Sequence, residues 1–280
     1  MAAPSTLINY HRQGSGTPIV LIHGIAGSWK HWKPIIPALA SRHDVIAIDL
    51  PGFGESVHLG IPEPSLEHFA QSILDLLDSL GIEKFHVAGN SLGGAVSVQL
   101  LGSGRVLSFH GISPAGQTFG WYLSLTKVNL RAAVYGSRVI WPIAPLLVKL
   151  RPLRMFFAAA MVGKPQRLTA PYVLDLIEGC VVGTNFEQTL AHAISGTDGL
   201  AVPPNDAAGQ FLWGTRDTVL PLSAAGRYAK AWPAAEIIPM KGLGHVPMQD
   251  DPKLIADLIL KLTGKVDAGA AIAATRSVAN

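Results

Sequence analysis

The sequence predicts an α/β fold: a doubly wound, mostly parallel sheet interrupted by a helical insertion. Three observations predict it. Short apolar runs alternate with helical patterns, glycine-rich turns follow several of the runs, and one long stretch contains no strand pattern. Strands covered on both faces have continuous apolar runs, and their alternation with helices indicates parallel pairing.

Six apolar runs predict the parallel strands of this sheet. Each is rich in β-branched or aromatic residues and ends at a glycine, proline or polar turn. In chain order they are Ile19–Ile22, Val45–Asp49, Phe85–Ala88, Val106–Ile112, Gln210–Trp213 and Glu236–Ile238. Tyr10 and the residues just before it are a candidate for an early antiparallel strand.

Three helices of the core have clear start or stop signals. Leucine, isoleucine and phenylalanine recur at spacings of three and four after Ser65, which is a predicted N-cap, and Gly81 is a predicted stop. A second helix is predicted from Leu222 to Trp232. The last begins at Pro252, because proline fits the first position of a helix.

The strand–helix alternation divides the chain into four segments. Residues 1–116 and 198–263 are predicted to form the two parts of the core, and residues 117–197 a helical cap inserted between them. Prolines such as Pro142, Pro145, Pro152 and Pro165 interrupt the insertion. The tail, residues 264–280, is rich in alanine and glycine and is predicted to be disordered.

Composition excludes several functional classes. The 280 residues are 49% hydrophobic and 15% charged, with a net charge of +3, and no run is long and apolar enough to span a bilayer. One cysteine, Cys180, excludes an internal disulfide and favours a reducing compartment, and no secretory signal is visible. We therefore expect a cytoplasmic protein.

No spacing typical of a metal site or a phosphate-binding loop occurs, so no metal, no cofactor and no nucleic acid partner is expected.

The segment Gly89-Asn90-Ser91-Leu92-Gly93 follows one predicted strand and precedes a predicted helix. A serine between glycines on a tight strand-to-helix turn is the pattern of a nucleophile elbow. The turn holds the hydroxyl above the edge of the sheet and directs the backbone N–H of the next residue to the same point. Ser91 is therefore a candidate nucleophile.

A serine nucleophile needs a base and an orienting carboxylate, and both are expected after the carboxyl ends of strands. Asp217 follows the Gln210–Trp213 strand, and His245 follows the Glu236–Ile238 strand in a glycine-rich loop. The order Ser, Asp, His is the order of the α/β-hydrolase arrangement. Asp198 is a rival for the acid.

Five segments in this order resemble the α/β-hydrolase fold family, from about Pro18 to Leu262. They are His23 to Ser28, Asp49 to Ser56, Gly89 to Gly94, Trp213 to Pro221, and Gly244 to Pro247. The resemblance implies a serine hydrolase of the esterase or lipase type, with Ser91 as nucleophile, His245 as general base and acid, and Asp217 as orienting acid. It also implies an oxyanion hole formed by the backbone amides of Ile25 and Leu92. Among the other histidines, His23 is expected to brace the oxyanion loop through hydrogen bonds, and His31 and His43 are expected at the surface or in the cap.

Several reactions remain open for such a site. Serine at position 91 disfavours epoxide hydrolases and haloalkane dehalogenases, which carry aspartate there. A carboxylic ester hydrolase is the first interpretation. The alternatives are a carbon–carbon hydrolase of ring-cleavage products, an acyltransferase or perhydrolase, and a receptor that binds a ligand on the same fold. Val246 after His245, where carbon–carbon hydrolases commonly have tryptophan, disfavours the first alternative.

The predicted cap is apolar and basic. Its aromatic residues are candidates for a lipophilic pocket, so that the predicted substrate-binding residues are Trp121, Trp141, Phe156, Phe157 and Val246. No acidic residue lies between Glu83 and Asp175, whereas eight cations lie within the cap: Lys127, Arg131, Arg138, Lys149, Arg151, Arg154, Lys164 and Arg167. This pattern predicts a small lipophilic ester as substrate. Peripheral contact with an anionic membrane surface, packing onto the core, and a homodimer are the alternatives for the apolar cap surface.

Overall fold

The computed structural model describes residues 8–58, 60, 62–118, 120–193 and 200–278. Its single sheet has seven strands in the order β1-β3-β2-β4-β5-β6-β7. The strands are β1 Tyr10–Gly14, β2 Thr17–Ile22, β3 His43–Ile48, β4 Phe85–Asn90, β5 Val106–Ile112, β6 Ala208–Gly214 and β7 Glu236–Met240. Only β1 pairs antiparallel; every other neighbouring pair is parallel. The predicted fold class and the six predicted parallel strands are confirmed. The early antiparallel strand also exists, but it begins at Tyr10 and runs to Gly14 instead of covering the residues before Tyr10.

The helices lie between the strands and after the last of them. Short 3₁₀ segments cover Trp29–Trp32, Leu101–Ser103, Trp141–Ile143 and Pro165–Arg167, and a π-helical turn covers Thr189–Ala193. The α-helices are α1 Ile36–Leu39, α2 Leu66–Ser79, α3 Leu92–Leu100, α4 Gly120–Ile140, α5 Ala144–Leu147, α6 Arg151–Ala158, α7 Ala170–Val182, α8 Phe186–Gln188, α9 Ser223–Ala231, α10 Pro247–Asp250 and α11 Pro252–Val278.

Alternate residues of the strands point into two different cores. On β2, Val20 and Ile22 pack with helices α2, α3 and α9, whereas Ile19 and Leu21 pack with α1 and α11. All four side chains are fully buried. Helices on both faces make the sheet doubly wound, which explains why its strands have continuous rather than alternating apolar runs.

Helices α4 to α8 lie between the end of β5 and the start of β6, and we refer to them as the helical insertion. Within the described residues of this stretch no strand occurs. Helix α4 has 21 residues, yet only Thr126 and Val134 are buried. Helix α7 packs closely on the loop after β2: a Cβ added to Gly179 would lie 2.6 Å from the carbonyl oxygen of Ala26.

Two sequence-based expectations differ from the structure. The segment after Gly264, predicted to be disordered, continues α11, because alanine is the best helix former and Asp267 bonds to His86 of β4. His31 and His43, expected at the surface, are 4% and 2% exposed. Both lie beside helices that come from distant parts of the chain, α7 for His31 and α11 for His43.

Candidate active site

Ser91 lies on a strained turn between β4 and α3. Its backbone has φ 55° and ψ −116°, a conformation that a non-glycine residue adopts only under constraint. The flanking glycines provide the constraint: a Cβ on Gly89 would collide with the carbonyl oxygen of Gly93, and a Cβ on Gly93 with that of Ile22. The Ser91 N–H donates to the Ile112 carbonyl of β5 at 3.0 Å. These contacts hold the serine at the carboxyl edge of the sheet.

His245 and Asp217 form a buried hydrogen-bonded pair. His245 Nδ1 lies 2.8 Å from Asp217 Oδ2, and the two side chains are 3% and 0% exposed. The second carboxylate oxygen accepts the N–H groups of Val219 and Leu220 at 2.9 and 2.8 Å. Since the carboxylate can only accept, Nδ1 carries the proton and the Nε2 lone pair of the neutral ring is left to act as a base.

Asn90 joins the serine turn to the histidine loop. Its Nδ2 donates to the His245 carbonyl at 2.9 Å and to the Ile112 carbonyl at 3.1 Å. The sequence alone did not indicate these two hydrogen bonds of Asn90. Among the described residues, neither Ser91 Oγ nor His245 Nε2 has a hydrogen-bond partner, so the nucleophile and the base candidates both keep their reactive positions free.

The loop after β2 contacts the serine from the other side. A Cβ on Gly24 would lie 3.1 Å from Ser91 Cβ, and Ala26 has a φ of 56°. His23 donates from Nδ1 to the Gly24 carbonyl at 2.6 Å and accepts the Leu50 N–H at Nε2 at 2.9 Å. Burial lowers the pKa of His23, which keeps the ring neutral for both bonds. This bracing role was expected from the sequence and is confirmed.

The candidate oxyanion-hole donors lie on this loop and at the start of α3. Within the described part of the chain, the backbone N–H groups of Ile25 and Leu92 have no hydrogen-bond acceptor. The Leu92 N–H begins a helix, where the dipole favours negative charge. The two donors are therefore available to a developing oxyanion.

Asp250 connects the histidine loop to the helical insertion, and it was missed in the sequence. Its carboxylate accepts the N–H of Gly244 at 2.7 Å, next to His245, and those of Gly163 and Lys164 at 2.8 and 2.6 Å. It is 1% exposed. An acid two residues before a helix-starting proline looks like a capping residue in sequence, so nothing there indicated this role.

A cavity of about 310 Å³ lies between the loop after β2 and the helical insertion, and neither Ser91 nor His245 is among its lining residues. Ile25, Ala26 and His31 line it from the core, and the remaining lining residues belong to the insertion. On α4 these include the small residues Ala132, Ala133 and Gly136, which leave the space open. The volume is at the lower end of the ~300–1,000 Å³ typical of ligand pockets.

The predicted substrate-binding residues divide between this cavity and other places. Phe156 and Phe157 line it. Trp121 is 75% exposed beside Tyr122, Trp141 packs on an apolar cluster without lining the cavity itself, and Val246 is buried with its N–H bonded to the Met161 carbonyl. Substrate binding by these five residues stays a prediction, and periodicity alone could not have shown which of them line the cavity, because it does not reveal which side of a helix is covered.

His31 is a polar group in the wall of this apolar cavity. It is 4% exposed, its Nε2 has no hydrogen-bond partner, and burial lowers its pKa to about 3. The ring is therefore neutral near pH 7. The rival acid Asp198 lies outside the described residues.

One group of three potential metal ligands occurs in the described chain, although the sequence spacing suggested none. Donor atoms of His43, His86 and Asp267 lie within 4.8 Å of one another. Each ring nitrogen of the two histidines is already hydrogen-bonded, to Thr17, Thr263, Ser108 or Asp267. The group is remote from Ser91 in the fold, on strands that α11 covers.

The fold, the serine turn and the histidine–aspartate pair are typical of α/β hydrolases, and a family model indicates the same class. Residues 19–258 match the model of the alpha/beta hydrolase family. The chain belongs to this family.

Particular relatives carry different activities in their names. The chain is 31% identical over 259 residues to a dihydrolipoyllysine-residue acetyltransferase component of an acetoin cleaving system from Pseudomonas putida, covering 89% of this chain and 64% of that protein. It thus spans slightly less than two thirds of that relative. It is 42% identical over 93 residues to a pimeloyl-[acyl-carrier protein] methyl ester esterase from Aeromonas hydrophila, covering 33% and 35% of the two chains.

Among solved structures, a meta-cleavage product hydrolase from Pseudomonas fluorescens superposes with a TM-score of 0.70 and 22% identity, covering 92% of this chain and 94% of that one. At this identity the likeness concerns the fold alone. Within the described residues, no helix is both long and apolar enough to cross a membrane.

Proposed function

We propose that the protein hydrolyses carboxylic esters with an apolar acyl group, with Ser91 as nucleophile, His245 as general base and Asp217 as orienting acid. The observation that carries the proposal is the buried His245–Asp217 hydrogen bond of 2.8 Å, tied through Asn90 to the strained serine turn. This arrangement suits acyl transfer, because it leaves one lone pair of His245 for the serine proton.

The reaction would proceed in two halves. Ser91 Oγ attacks the ester carbonyl carbon while His245 Nε2 takes the hydroxyl proton, and the carbonyl oxygen becomes an oxyanion. Collapse of the tetrahedral intermediate expels the alcohol, which receives the proton from His245. Water then attacks the acyl-enzyme with the same base, releasing the carboxylic acid and restoring Ser91.

The oxyanion would accept hydrogen bonds from the Ile25 and Leu92 amides. Loss of one such donor typically costs about 3 to 4 kcal/mol of barrier lowering. Their orientation depends on the neutral ring of His23 and on the left-handed backbone at Ala26. Preorganisation of this kind requires no movement when the charge develops.

The cavity between the loop after β2 and the helical insertion would hold the acyl chain. Its lining is almost wholly apolar, and it adjoins the oxyanion loop at Ile25 and Ala26. A carbon–carbon hydrolase is a weaker candidate, because the residue after His245 is a buried valine and not an aromatic residue that faces a substrate.

A panel of p-nitrophenyl esters from acetate to palmitate tests the proposal, with Ser91→Ala as the inactive control and a ring-cleavage dienoate alongside. We expect Ser91-dependent turnover that peaks at medium acyl length. Turnover of the dienoate without ester turnover would assign the protein to the carbon–carbon hydrolases. Absence of turnover of both the esters and the dienoate would favour a transferase or a receptor.

Gly136 offers a sharper test of the acyl site. A Cβ there would meet no atom within 4 Å, so Gly136→Leu fits the helix and extends into the cavity. We expect medium and long esters to lose at least about tenfold in kcat/KM while p-nitrophenyl acetate is unaffected. Gly226→Leu on α9 is the matched control, since it too has open space and lies away from the cavity. Equal losses of kcat/KM on acetate and long esters would contradict the placement of the acyl chain in this cavity.

A further inference from the structure

The outer face of α4 carries a continuous apolar stripe, which we call the outer stripe. Its members are separated by three or four residues, which places them on one side of the helix. They are Trp121, Leu125, Val128, Ala132, Tyr135 and Val139. The five large side chains are 75%, 46%, 60%, 45% and 79% exposed, in that order.

The opposite face of α4 makes the contacts that hold the helix in place. Thr126 and Val134 are its only buried residues, and they lie about two helical turns apart on the side away from the outer stripe. The stripe therefore contributes little to packing within the described chain. Contiguous apolar surface of this kind usually marks an interaction site.

The exposed apolar surface continues beyond α4. Ile143, Leu146 and Leu150 follow directly in the chain and are 50%, 64% and 57% exposed. Phe156 is 76% exposed and also lines the cavity together with Ala132. The opening of the cavity thus lies beside the outer stripe.

Among the described residues, most cations of this surface have no acidic partner. Lys149 and Arg151 are exposed between the apolar residues, and among the described residues neither has a carboxylate partner. Lys127, Arg131 and Arg138 lie along one flank of the outer stripe at helical spacing. Arg131 is paired with Glu187, whereas no acidic residue occurs between Glu83 and Asp175.

We propose that the outer stripe, with the exposed segment from Ile143 to Phe156, docks on the surface of an anionic lipid bilayer. The apolar side chains would enter the boundary between headgroups and acyl chains, and Lys149 and Arg151 would contact lipid phosphates. The opening beside Phe156 would then face the lipid phase, from which an acyl substrate enters the cavity without crossing water.

A second copy of the chain fits this surface less well. A symmetric dimer across the outer stripe would bring two sets of the same cations together, and among the described residues the only carboxylate paired with any of them is Glu187, which Arg131 already occupies. It would also cover the cavity opening at Phe156. Anionic lipid satisfies the charge and leaves the opening in contact with substrate.

Sedimentation with vesicles tests this surface in the full-length protein. Vesicles of phosphatidylcholine alone are compared with vesicles of equimolar phosphatidylcholine and phosphatidylglycerol. We expect binding to the anionic vesicles, reduced at least about tenfold by Leu125→Ser/Val128→Ser/Val139→Ser. Lys149→Gln/Arg151→Gln should reduce it by about fivefold for each cation removed. Val57→Ser/Leu222→Ser/Leu254→Ser, which alters exposed apolar residues outside the insertion, should bind like wild type.

Two readouts separate this inference from the proposed chemistry and from misfolding. Ser91→Ala should bind vesicles like wild type, and p-nitrophenyl acetate turnover by the stripe variant should match wild type if it is folded. Equal binding to both vesicle types, or unchanged binding of the stripe variant, would overturn the proposal. A wild-type dimer in analytical ultracentrifugation that the stripe variant converts to monomer, without vesicle binding, would assign the surface to a second copy.

Discussion

The histidine at the carboxyl edge of the sheet and the histidines beneath α11 are equally buried but differently bonded. His245 has one ring nitrogen bonded to Asp217 and, within the described chain, the other free. His110 and His86 belong to a chain in which every ring nitrogen is bonded. Gln210 Nε2 donates to His110 at 2.7 Å, and Ser108 Oγ lies 3.0 Å from His110 and 2.7 Å from His86.

The direction of that chain follows from its ends. The NH2 group of Gln210, which also donates to the Leu258 carbonyl at 3.1 Å, can only donate, so His110 Nδ1 accepts. His110 Nε2 therefore carries a proton toward Ser108, whose hydroxyl donates to His86. His86 then donates to Asp267 on α11 at 3.1 Å. Burial lowers the pKa of His110 to about 3 and also lowers that of His86. A fully bonded histidine supports the fold, whereas a histidine with a free ring nitrogen can accept and return a proton.

The first prediction tests the difference between the two kinds of histidine by making the same substitution, histidine to glutamine, at His245 and at His110. His245→Gln should reduce ester kcat at least about a thousandfold, because the amide cannot accept the serine proton and return it. His110→Gln should leave kcat within about twofold and lower the free energy of unfolding by about 1–3 kcal/mol. Initial rates and urea denaturation measure the two. Comparable rate losses in both variants would contradict the assignment of roles.

The second prediction concerns the orientation of His245. Asp217→Asn keeps the size of the side chain but can present an N–H to Nδ1, which favours the wrong tautomer. We expect kcat to fall about a hundredfold or more, though less than in His245→Gln. Steady-state kinetics on a short-chain ester measures the loss. A rate near wild type would mean that another acid, such as Asp198, orients the base.

The third prediction sharpens the comparison by disturbing only the loop that holds His245. Asp250→Asn weakens three hydrogen bonds to backbone N–H groups, and we expect kcat to fall about tenfold. KM for p-nitrophenyl acetate should stay unchanged, because Asp250 does not line the cavity. Asp251→Asn is the control, as Asp251 is partly exposed and pairs with Lys164 at 3.6 Å. A loss confined to thermal stability would give Asp250 a structural role only.

The fourth prediction has the smallest effect and concerns acid stability. The folded pKa of His31 and of His110 is about 3, below the ordinary 6.5, so only the unfolded chain binds protons between these values. Their contribution is complete above about pH 6.5 and is lost as the pH falls toward 3, at up to about 1.4 kcal/mol per pH unit each. Urea denaturation of wild type and His110→Gln between pH 5 and 7 tests this, and parallel curves would contradict it.

The sequence predicts the sheet, its helices and the candidate Ser, Asp and His because each depends on local patterns. Apolar runs specify strands, and Gly89 and Gly93 mark a turn that other residues cannot form. The bonds of Asn90 and Asp250 were not predictable, because they join segments that are 155 and 87 residues apart. His43 was misplaced for the same reason: α11, which covers it, follows more than two hundred residues later.

The carboxylate of Asp250 has a consequence for how such chains can exchange parts. It holds the Gly163–Lys164 backbone of the insertion and the Gly244 backbone of the histidine loop with the same two oxygens. In a chimera that received only a foreign insertion, the Gly163 and Lys164 N–H groups would be replaced by another backbone. The Asp250 carboxylate of the original chain would then lack the donors that match it. Recombination between family members should therefore succeed when the insertion and the last loop come from the same parent.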